Sequence, residues 1–266
     1  MKSTLGLMKA AVCAVFVWTI EVHAQNLIVN GTFATPTVTQ SEKWGFFPAA
    51  ELWPWQTQES SFELWTNGLV APGAYVTNAA YSADGCTQNI EIAAQAGTNT
   101  VWQTVPTVNG ETYYFSFYHT PRPHYSSQLT VSINSKVVTS IYENAAGLTN
   151  FAWQQFSTKF VATSNQTTVA FTDAAITFPS TGAHLDAVVL EHIPRLNLNR
   201  VSANELTGSW LGVSNEIYQL QYSTNLCSTN WISWGSSMQT NATTAFHFTD
   251  TITNAPQKFY RVVVGP

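Results

Sequence analysis

The segment 109–125 constrains the fold more than any other, because it joins a turn, a long strand and a stiff polar loop. It opens on an Asn-Gly dipeptide, which is a turn signal. Aromatic residues then recur at every second position: Tyr113, Phe115 and Phe117. This period of two predicts a strand with one face in a core. The strand leads into a loop with two prolines that carries Arg122 and Tyr125. A polar loop on a rigid strand is a common way to build a binding site.

The first 24 residues have the pattern of a signal peptide. Lys2 and Lys9 precede the apolar run 10–20, and Ala24 supplies the small residue before a cleavage point. The apolar run is too short for a stable membrane anchor. We therefore expect an exported chain that is secreted, periplasmic or held at the cell surface, without a membrane span after cleavage.

Charge and cysteine content exclude some classes of partner. The formal net charge is −5, and removal of two lysines and one glutamate with the signal peptide leaves about −6. No basic stripe remains to hold phosphates, so nucleic acid is not expected as a partner. Cys86 and Cys227 remain, in different predicted domains, so no disulfide framework is indicated. Their role as structural or functional thiols stays open.

Short strands separated by turn signals fill the rest of the chain. We predict an all-β protein with a jelly-roll β-sandwich over residues 25–193 and a small immunoglobulin-like or fibronectin-like sandwich over residues 194–266, with the boundary at Pro194. One continuous sandwich is the alternative. Residues 26–33 are expected to form the first strand, and the tryptophan-rich stretch that follows is expected to be largely loop.

Six short motifs occur in an order that resembles a known family. They are NLIVNGTF, FELW, SADG followed by QNIEI, VWQTV followed by GETYYFSF, the Pro121-Arg122 pair and GAHLDAVVL. Residues 26–192 thereby resemble the galactose-binding-like jelly-roll domains, in particular the extracellular group called domain of unknown function 642, and several carbohydrate-binding modules. The resemblance implies a secreted domain that binds cell-wall or other polysaccharides without cleaving them. The C-terminal piece resembles fibronectin type III-like domains.

The same resemblance implies a possible structural calcium ion. Related modules place a carboxylate at the end of the opening strand and an aspartate in the closing strand. Here Phe33 is followed by Ala34, so the first carboxylate is missing, whereas Asp186 matches the second. One carboxylate and several carbonyl oxygens could still bind calcium, although Asp186 could instead bond to the backbone. No cofactor is otherwise required.

Sugar binding needs aromatic faces and planar hydrogen-bonding groups. Glu63 and Trp65 are two apart in a strand and so share a face. Arg122 matches an arginine of the family and offers a fork of donors for a diol or a carboxylate. The candidate ligand-binding residues are Glu63, Trp65, Asp84, His119, Arg122 and Tyr125. For Trp65 the alternative is core packing, and for Arg122 it is a structural ion pair with Glu63 or Asp84.

No sequence signature of an enzyme is present, and no carboxylates are paired by spacing. Glu91, between Ile90 and Ile92, is expected to be half-buried in a strand. The leading hypothesis is an exported, non-catalytic protein that binds a polysaccharide or glycoconjugate. One alternative is a glycoside hydrolase or lyase on the same fold. The other is a structural or adhesion component of an extracellular matrix.

Overall fold

The computed structural model describes residues 25–66, 87–227, 229–251 and 257–265. In these ranges the chain is nearly all β, and every strand pair is antiparallel. The only helical element of the described ranges is one turn of 3-10 helix, Ala49–Leu52. The all-β, jelly-roll sandwich prediction is therefore confirmed. The predicted signal peptide lies outside the described residues.

The first eleven strands form two sheets. The six-stranded sheet has the order β1 (Trp44–Pro48), β3 (Ser61–Thr66), β4 (Gln88–Glu91), β11 (Ala183–Ile193), β6 (Thr112–Pro121) and β9 (Gln154–Val161). The five-stranded sheet has the order β2 (Gln56–Thr57), β5 (Thr98–Pro106), β10 (Gln166–Ala175), β7 (Ser127–Ile133) and β8 (Lys136–Glu143). Neighbours in each sheet are often far apart in the chain, as expected for a jelly roll.

The aromatic residues of β6 join the two sheets. Phe115 and Phe117 are fully buried, and the ring centroid of Phe117 lies 5.0 Å from that of Phe171 on β10. Tyr113 is also buried, so all three residues of the predicted alternation face the core. Burial of an aromatic side chain of this size contributes about 2–3 kcal/mol. The prediction that this strand carries the core is confirmed.

One local prediction near the start of the chain is wrong. Residues 26–33 form turns rather than a strand. The reason is that the Asn26 side-chain amide bonds to β11 directly: its Nδ2 donates to Val188 O at 2.9 Å and its Oδ1 accepts from Leu190 N at 2.9 Å. Residues 34–60 of the tryptophan-rich stretch are largely irregular, as predicted, although Trp44–Pro48 forms β1. In β1, Gly45 and Phe47 point inward, whereas Trp44 and Phe46 point outward.

A β-bulge interrupts β11 next to these turns. The register with β6 shifts between Asp186 and Val189, and Ala187 has a positive φ of 47°. Gly31 packs directly on the bulge, since a Cβ built there would lie 2.1 Å from Val188 O. The close approach of the two backbones therefore requires glycine at this position.

Residues after 193 form two further sheets with a separate hydrophobic cluster around Trp210, Tyr218 and Leu220. One sheet has the order β12 (Asn197–Arg200), β13 (Glu205–Gly212) and β17 (Thr244–Thr251). In the other, β14 (Ile217–Ser223) pairs with β15 (Ile232–Ser233), β16 (Met238–Gln239) and β18 (Phe259–Val264). The domain boundary at Pro194 and the likeness of this part to fibronectin domains remain predictions.

A lysine enclosed by aromatic rings connects these C-terminal strands. The Lys258 ammonium lies 4.3 Å from the ring centroid of Tyr222 and 4.7 Å from that of Trp234. It also forms an ion pair with the buried Asp250, which accepts a hydrogen bond from the Tyr260 hydroxyl. Cation–π contacts and a charge-assisted hydrogen bond therefore fix β17 against β18.

Candidate functional site

A row of polar side chains crosses the outward face of the six-stranded sheet. Glu63 pairs with Glu91, Glu91 with His184, and His184 with Thr120, on four successive strands. Directly paired residues point to the same side of a sheet. The next row, which includes Leu64, Ile90 and Leu185, lies in the core. The polar row therefore lies on the side of the sheet that faces away from the sandwich interior.

Arg122 follows the end of β6 and reaches over this row. Its Nη1 donates to both carboxylate oxygens of Glu91, at 3.1 and 3.0 Å. The guanidinium carbon lies 4.8 Å from the ring centroid of Trp65 and 5.5 Å from that of Tyr125. The side chain of Arg122 keeps 27% of its surface exposed, whereas that of Glu91 has none. Of the two alternatives for Arg122, the ion pair exists, but its partner is Glu91.

Trp65 contacts both Glu63 and Arg122. Its indole Nε1 donates to Glu63 Oε1 at 2.9 Å, and its ring lies 4.9 Å from His184 and 6.1 Å from Phe151 between centroids. Only 3% of Trp65 is exposed. The ring is therefore packed between protein groups, and its role is to hold Glu63 and Arg122 rather than to offer an open face.

Two buried carboxyl groups share one guanidinium in this cluster. Burial, and to a lesser extent the charge of Glu59, raises the pKa of Glu63 to about 7, against the opposing effects of Arg122 and the Trp65 indole. Burial and the charge of Glu63 raise the pKa of Glu91 well above its ordinary value. A hydrogen bond from Gly182 N to Glu91 Oε1, 2.8 Å long, acts in the opposite direction together with Arg122. The two carboxyl groups therefore compete for one positive charge.

His184 lies between the carboxyl groups and the aromatic rings. Burial, and then the charge of Arg122, lowers the pKa of His184 well below its ordinary value, so the imidazole is neutral. Its Nδ1 lies 2.7 Å from Asn89 Oδ1, and its Nε2 lies 3.9 Å from Glu91 Oε2. A neutral His184 adds no second positive charge to the cluster.

An aromatic pair, the half-buried Trp44 and the exposed Phe46, extends the same face toward the edge of the sheet. Phe46 pairs with Glu63 and Trp44 pairs with Trp65, so both point outward from β1. Their ring centroids lie 5.9 Å apart, edge to face, and Phe46 is 47% exposed. We call Trp44 and Phe46 the aromatic shelf. In contrast to Trp65, the shelf offers an aromatic surface to solvent.

The structure brings together four of the six sequence-predicted ligand-binding residues: Glu63, Trp65, Arg122 and Tyr125. His119 lies elsewhere, because it pairs with the core residue Leu185 and points into the sandwich, where it contacts the buried Glu143. Asp84 lies outside the described residues. Sequence reasoning did not place Glu91, His184 or the aromatic shelf in the site. The alternating pattern around each of these residues can be read from the sequence, but the pairing of their strands cannot.

Asp186 is buried, and its Oδ1 accepts a hydrogen bond from Ala187 N at the bulge. Asn26, whose side chain is an uncharged amide, contacts the same part of β11. In the described ranges, no group of three or more His, Cys, Asp or Glu side chains is arranged to hold a metal ion. These residues supply one carboxylate, which is a weak fit to calcium, and the calcium hypothesis stays a prediction.

No protein-family model matches the sequence, and no curated protein is significantly similar to it. The fold is similar to that of TmCBM61, solved in complex with β-1,4-galactotriose, at 11% identity and a TM-score of 0.39 over 64% of this chain and 100% of that one. It is also similar to the tandem CBM22 domains of Paenibacillus barcinonensis Xyn10C, at 8% identity and a TM-score of 0.37 over 92% of this chain and 86% of that one.

A further match is the enzymatically active domain of bacteriophage CBA120 tailspike protein 4, at 10% identity and a TM-score of 0.34. That match covers 63% of this chain and 21% of the tailspike chain. The fold assignment itself depends on the sheets described above. Among the described residues, no helix has the length and apolar character needed to cross a bilayer.

Proposed function

We propose that the protein is an exported, non-catalytic carbohydrate-binding protein, and that polysaccharide binds to the outward face of the six-stranded sheet around Arg122. The observation that carries this proposal is the arrangement of Arg122. Among the described residues only Glu91 accepts hydrogen bonds from its guanidinium, and it uses Nη1 alone. The Nε and Nη2 donors remain for a ligand, on a side chain that is fixed by two rings and partly exposed.

The aromatic shelf supplies the second element that sugar binding needs. An exposed aromatic ring can stack against the C–H face of a pyranose, and Phe46 and Trp44 lie on the same sheet face as the Arg122 cluster. Adjacent strands are about 4.8 Å apart, so the four strands from β1 to β11 span about 15 Å. Glu63 and Glu91, on the strands between, are buried, so a sugar chain would contact the shelf and Arg122 rather than these strands.

The carboxyl pair does not favour the hydrolase alternative. Glu63 and Glu91 lie side by side on neighbouring strands, and they are 5% and 1% exposed. A glycosidase places its two carboxyl groups on either side of the scissile bond, where both reach the substrate. The burial of this pair gives a sugar no access between them, so we assign the pair a supporting role.

Affinity electrophoresis of the purified protein through gels that contain galactan, xylan, mannan, β-glucan, polygalacturonate or alginate tests the proposal. We expect at least one polysaccharide to retard the wild type and the F46A variant to be retarded several-fold less. The matched control is V137A, which removes a similarly exposed apolar side chain, 56% exposed, from the other sheet. Failure of every polysaccharide to retard the wild type would contradict the proposal.

Runs with calcium and with a chelator test the proposed ion at Asp186. Retardation or melting temperature that depends on calcium in the wild type, and not in D186N, would support it. Equal behaviour in both buffers would contradict the calcium prediction without affecting the sugar site.

A further inference from the structure

The Arg122 cluster holds two carboxyl groups but one guanidinium. Two carboxyl groups, Glu63 and Glu91, surround one guanidinium, and His184 is neutral. The carboxyl group of Glu59 lies near enough for its charge to raise the pKa of Glu63. Above about pH 7, where Glu63 is ionised, the positive charge of Arg122 is therefore compensated by the protein, and a further negative charge enters a region without spare positive charge.

The ion pair between Arg122 and Glu91 cannot be exchanged for a pair with a ligand carboxylate. Glu91 has no exposed side-chain surface, and Arg122 is its cationic partner. If Arg122 turned toward an acidic ligand, Glu91 would remain buried without a counter-charge, which is strongly unfavourable. An acidic group would instead have to bind Nε and Nη2 of Arg122, which have no partner among the described residues, while Glu91 keeps Nη1. It would then lie close to the Glu91 carboxyl group.

A vicinal diol meets no such penalty. Two sugar hydroxyl oxygens can accept hydrogen bonds from the Nε and Nη2 donors without bringing charge, and the ring can lie on the aromatic shelf. Because the carboxyl groups are buried, salt screens their field less than it screens surface charges. The discrimination is therefore a property of the folded site rather than of the net charge of the chain.

From this geometry we infer that the Glu63–Glu91 pair restricts the site to uncharged sugars and excludes uronic acids, with Glu63 as the residue that sets the discrimination. This inference rests on the proposed function, since it concerns the ligand class of the same site. Glu63 is the better residue to change, because Glu91 is the direct partner of Arg122. In E63Q the amide oxygen still accepts the Trp65 indole N–H, while one negative charge is removed.

The test compares, at pH 8, where Glu63 is ionised, retardation by uncharged polysaccharides (galactan, xylan, mannan, β-glucan) with retardation by acidic ones (polygalacturonate, alginate, hyaluronate). For the wild type we expect the strongest uncharged polysaccharide to bind at least about tenfold more tightly than any acidic one. In E63Q this ratio should fall several-fold. E51Q is the control, because it removes the same charge from an exposed glutamate of the 3-10 turn and should leave the ratio unchanged.

The outcomes separate the two proposals. If the wild type binds an acidic polysaccharide as tightly as an uncharged one, the charge discrimination is wrong and the carbohydrate-binding function stands. An equal fall of the ratio in E51Q and E63Q would assign the effect to net charge and overturn the role of Glu63. If no polysaccharide of either kind binds, the proposed function fails and the inference falls with it. Near-ultraviolet circular dichroism confirms that each variant is folded.

Discussion

Replacement of Glu63 by glutamine should change how the stability of the protein depends on pH. Burial raises the pKa of Glu63 from 4.5 to about 7 in the folded chain. Between these two values the folded state holds a proton that the unfolded state has released, so the free energy of unfolding falls as the pH rises through this window. Above about pH 7 the loss is complete.

The size of the effect follows from the same two pKa values. The difference between 4.5 and about 7, at about 1.4 kcal/mol for each pH unit, amounts to about 3 kcal/mol. Part of this is already lost at pH 5, so about 2 kcal/mol remains between pH 5 and pH 8. Glutamine carries no charge at any of these pH values and keeps the hydrogen bond from Trp65. E63Q should therefore become more stable relative to the wild type by about 2 kcal/mol over this range.

Urea unfolding followed by tryptophan fluorescence at pH 5, 6, 7 and 8 measures the difference directly. Buried carboxyl groups outside this cluster, such as Glu216 with a pKa of about 7 and Asp173 with a pKa of about 6, are present in both proteins and cancel in the comparison. Glu91 does not cancel, because the charge of Glu63 raises its pKa, but the loss of that charge in E63Q acts in the same direction. E51Q serves as the control and should follow the wild type at every pH. Parallel curves for E63Q and the wild type would show that Glu63 is not buried as described and would refute the reasoning.

Three further substitutions test separate parts of the structure. R122K should weaken polysaccharide retardation at least about tenfold, because an ammonium group cannot bond Glu91 while it also presents a second planar pair of donors. G31A should lower the free energy of unfolding by about 3 kcal/mol or more in urea, since its Cβ would lie 2.1 Å from Val188 O. K258M should cost about 2 kcal/mol in the same assay, because it leaves the buried Asp250 without its cationic partner, bonded to the Tyr260 hydroxyl.

Each of these variants has a matched control in the chain. Arg195 is exposed, so R195K should bind like the wild type. Gly97 has no atom within 4 Å of a built Cβ, so G97A should be neutral. Lys136 is exposed, so K136M should unfold like the wild type. A variant that behaves like its control would contradict the contact on which its prediction depends.

The sequence was sufficient for the fold class and for the core strand. Alternation in β6 identifies Tyr113, Phe115 and Phe117 as inward-facing because a strand has a fixed period, which local sequence displays directly. The prediction for residues 26–33 was wrong because an asparagine side chain can replace backbone partners, as Asn26 does on β11. Local pattern does not distinguish these two ways of satisfying hydrogen bonds.

The candidate site was predictable only in part, for a physical reason. Glu63 and Trp65 could be associated because they are two positions apart in one strand, and Arg122 because it matches a family motif. Glu91 and His184 join them only through the pairing of β3, β4 and β11. Strand pairing between distant segments is set by the whole sheet and leaves no local signature. His119 was wrongly placed in the site for the same reason. Thr120 pairs with His184 on the outward face, so His119, one position earlier, faces the core.

The position of β1 at the margin of its sheet has a consequence for ligand exchange. Among the strands of the described ranges, β1 has one neighbour, β3, whereas β4 and β11 are held on both sides. A marginal strand separates at lower free-energy cost than an interior one. The aromatic shelf should therefore detach from β3 and re-form while the contacts of Arg122 persist. A long glycan would then leave from its β1 end first, so that rebinding from a half-released state prolongs its residence.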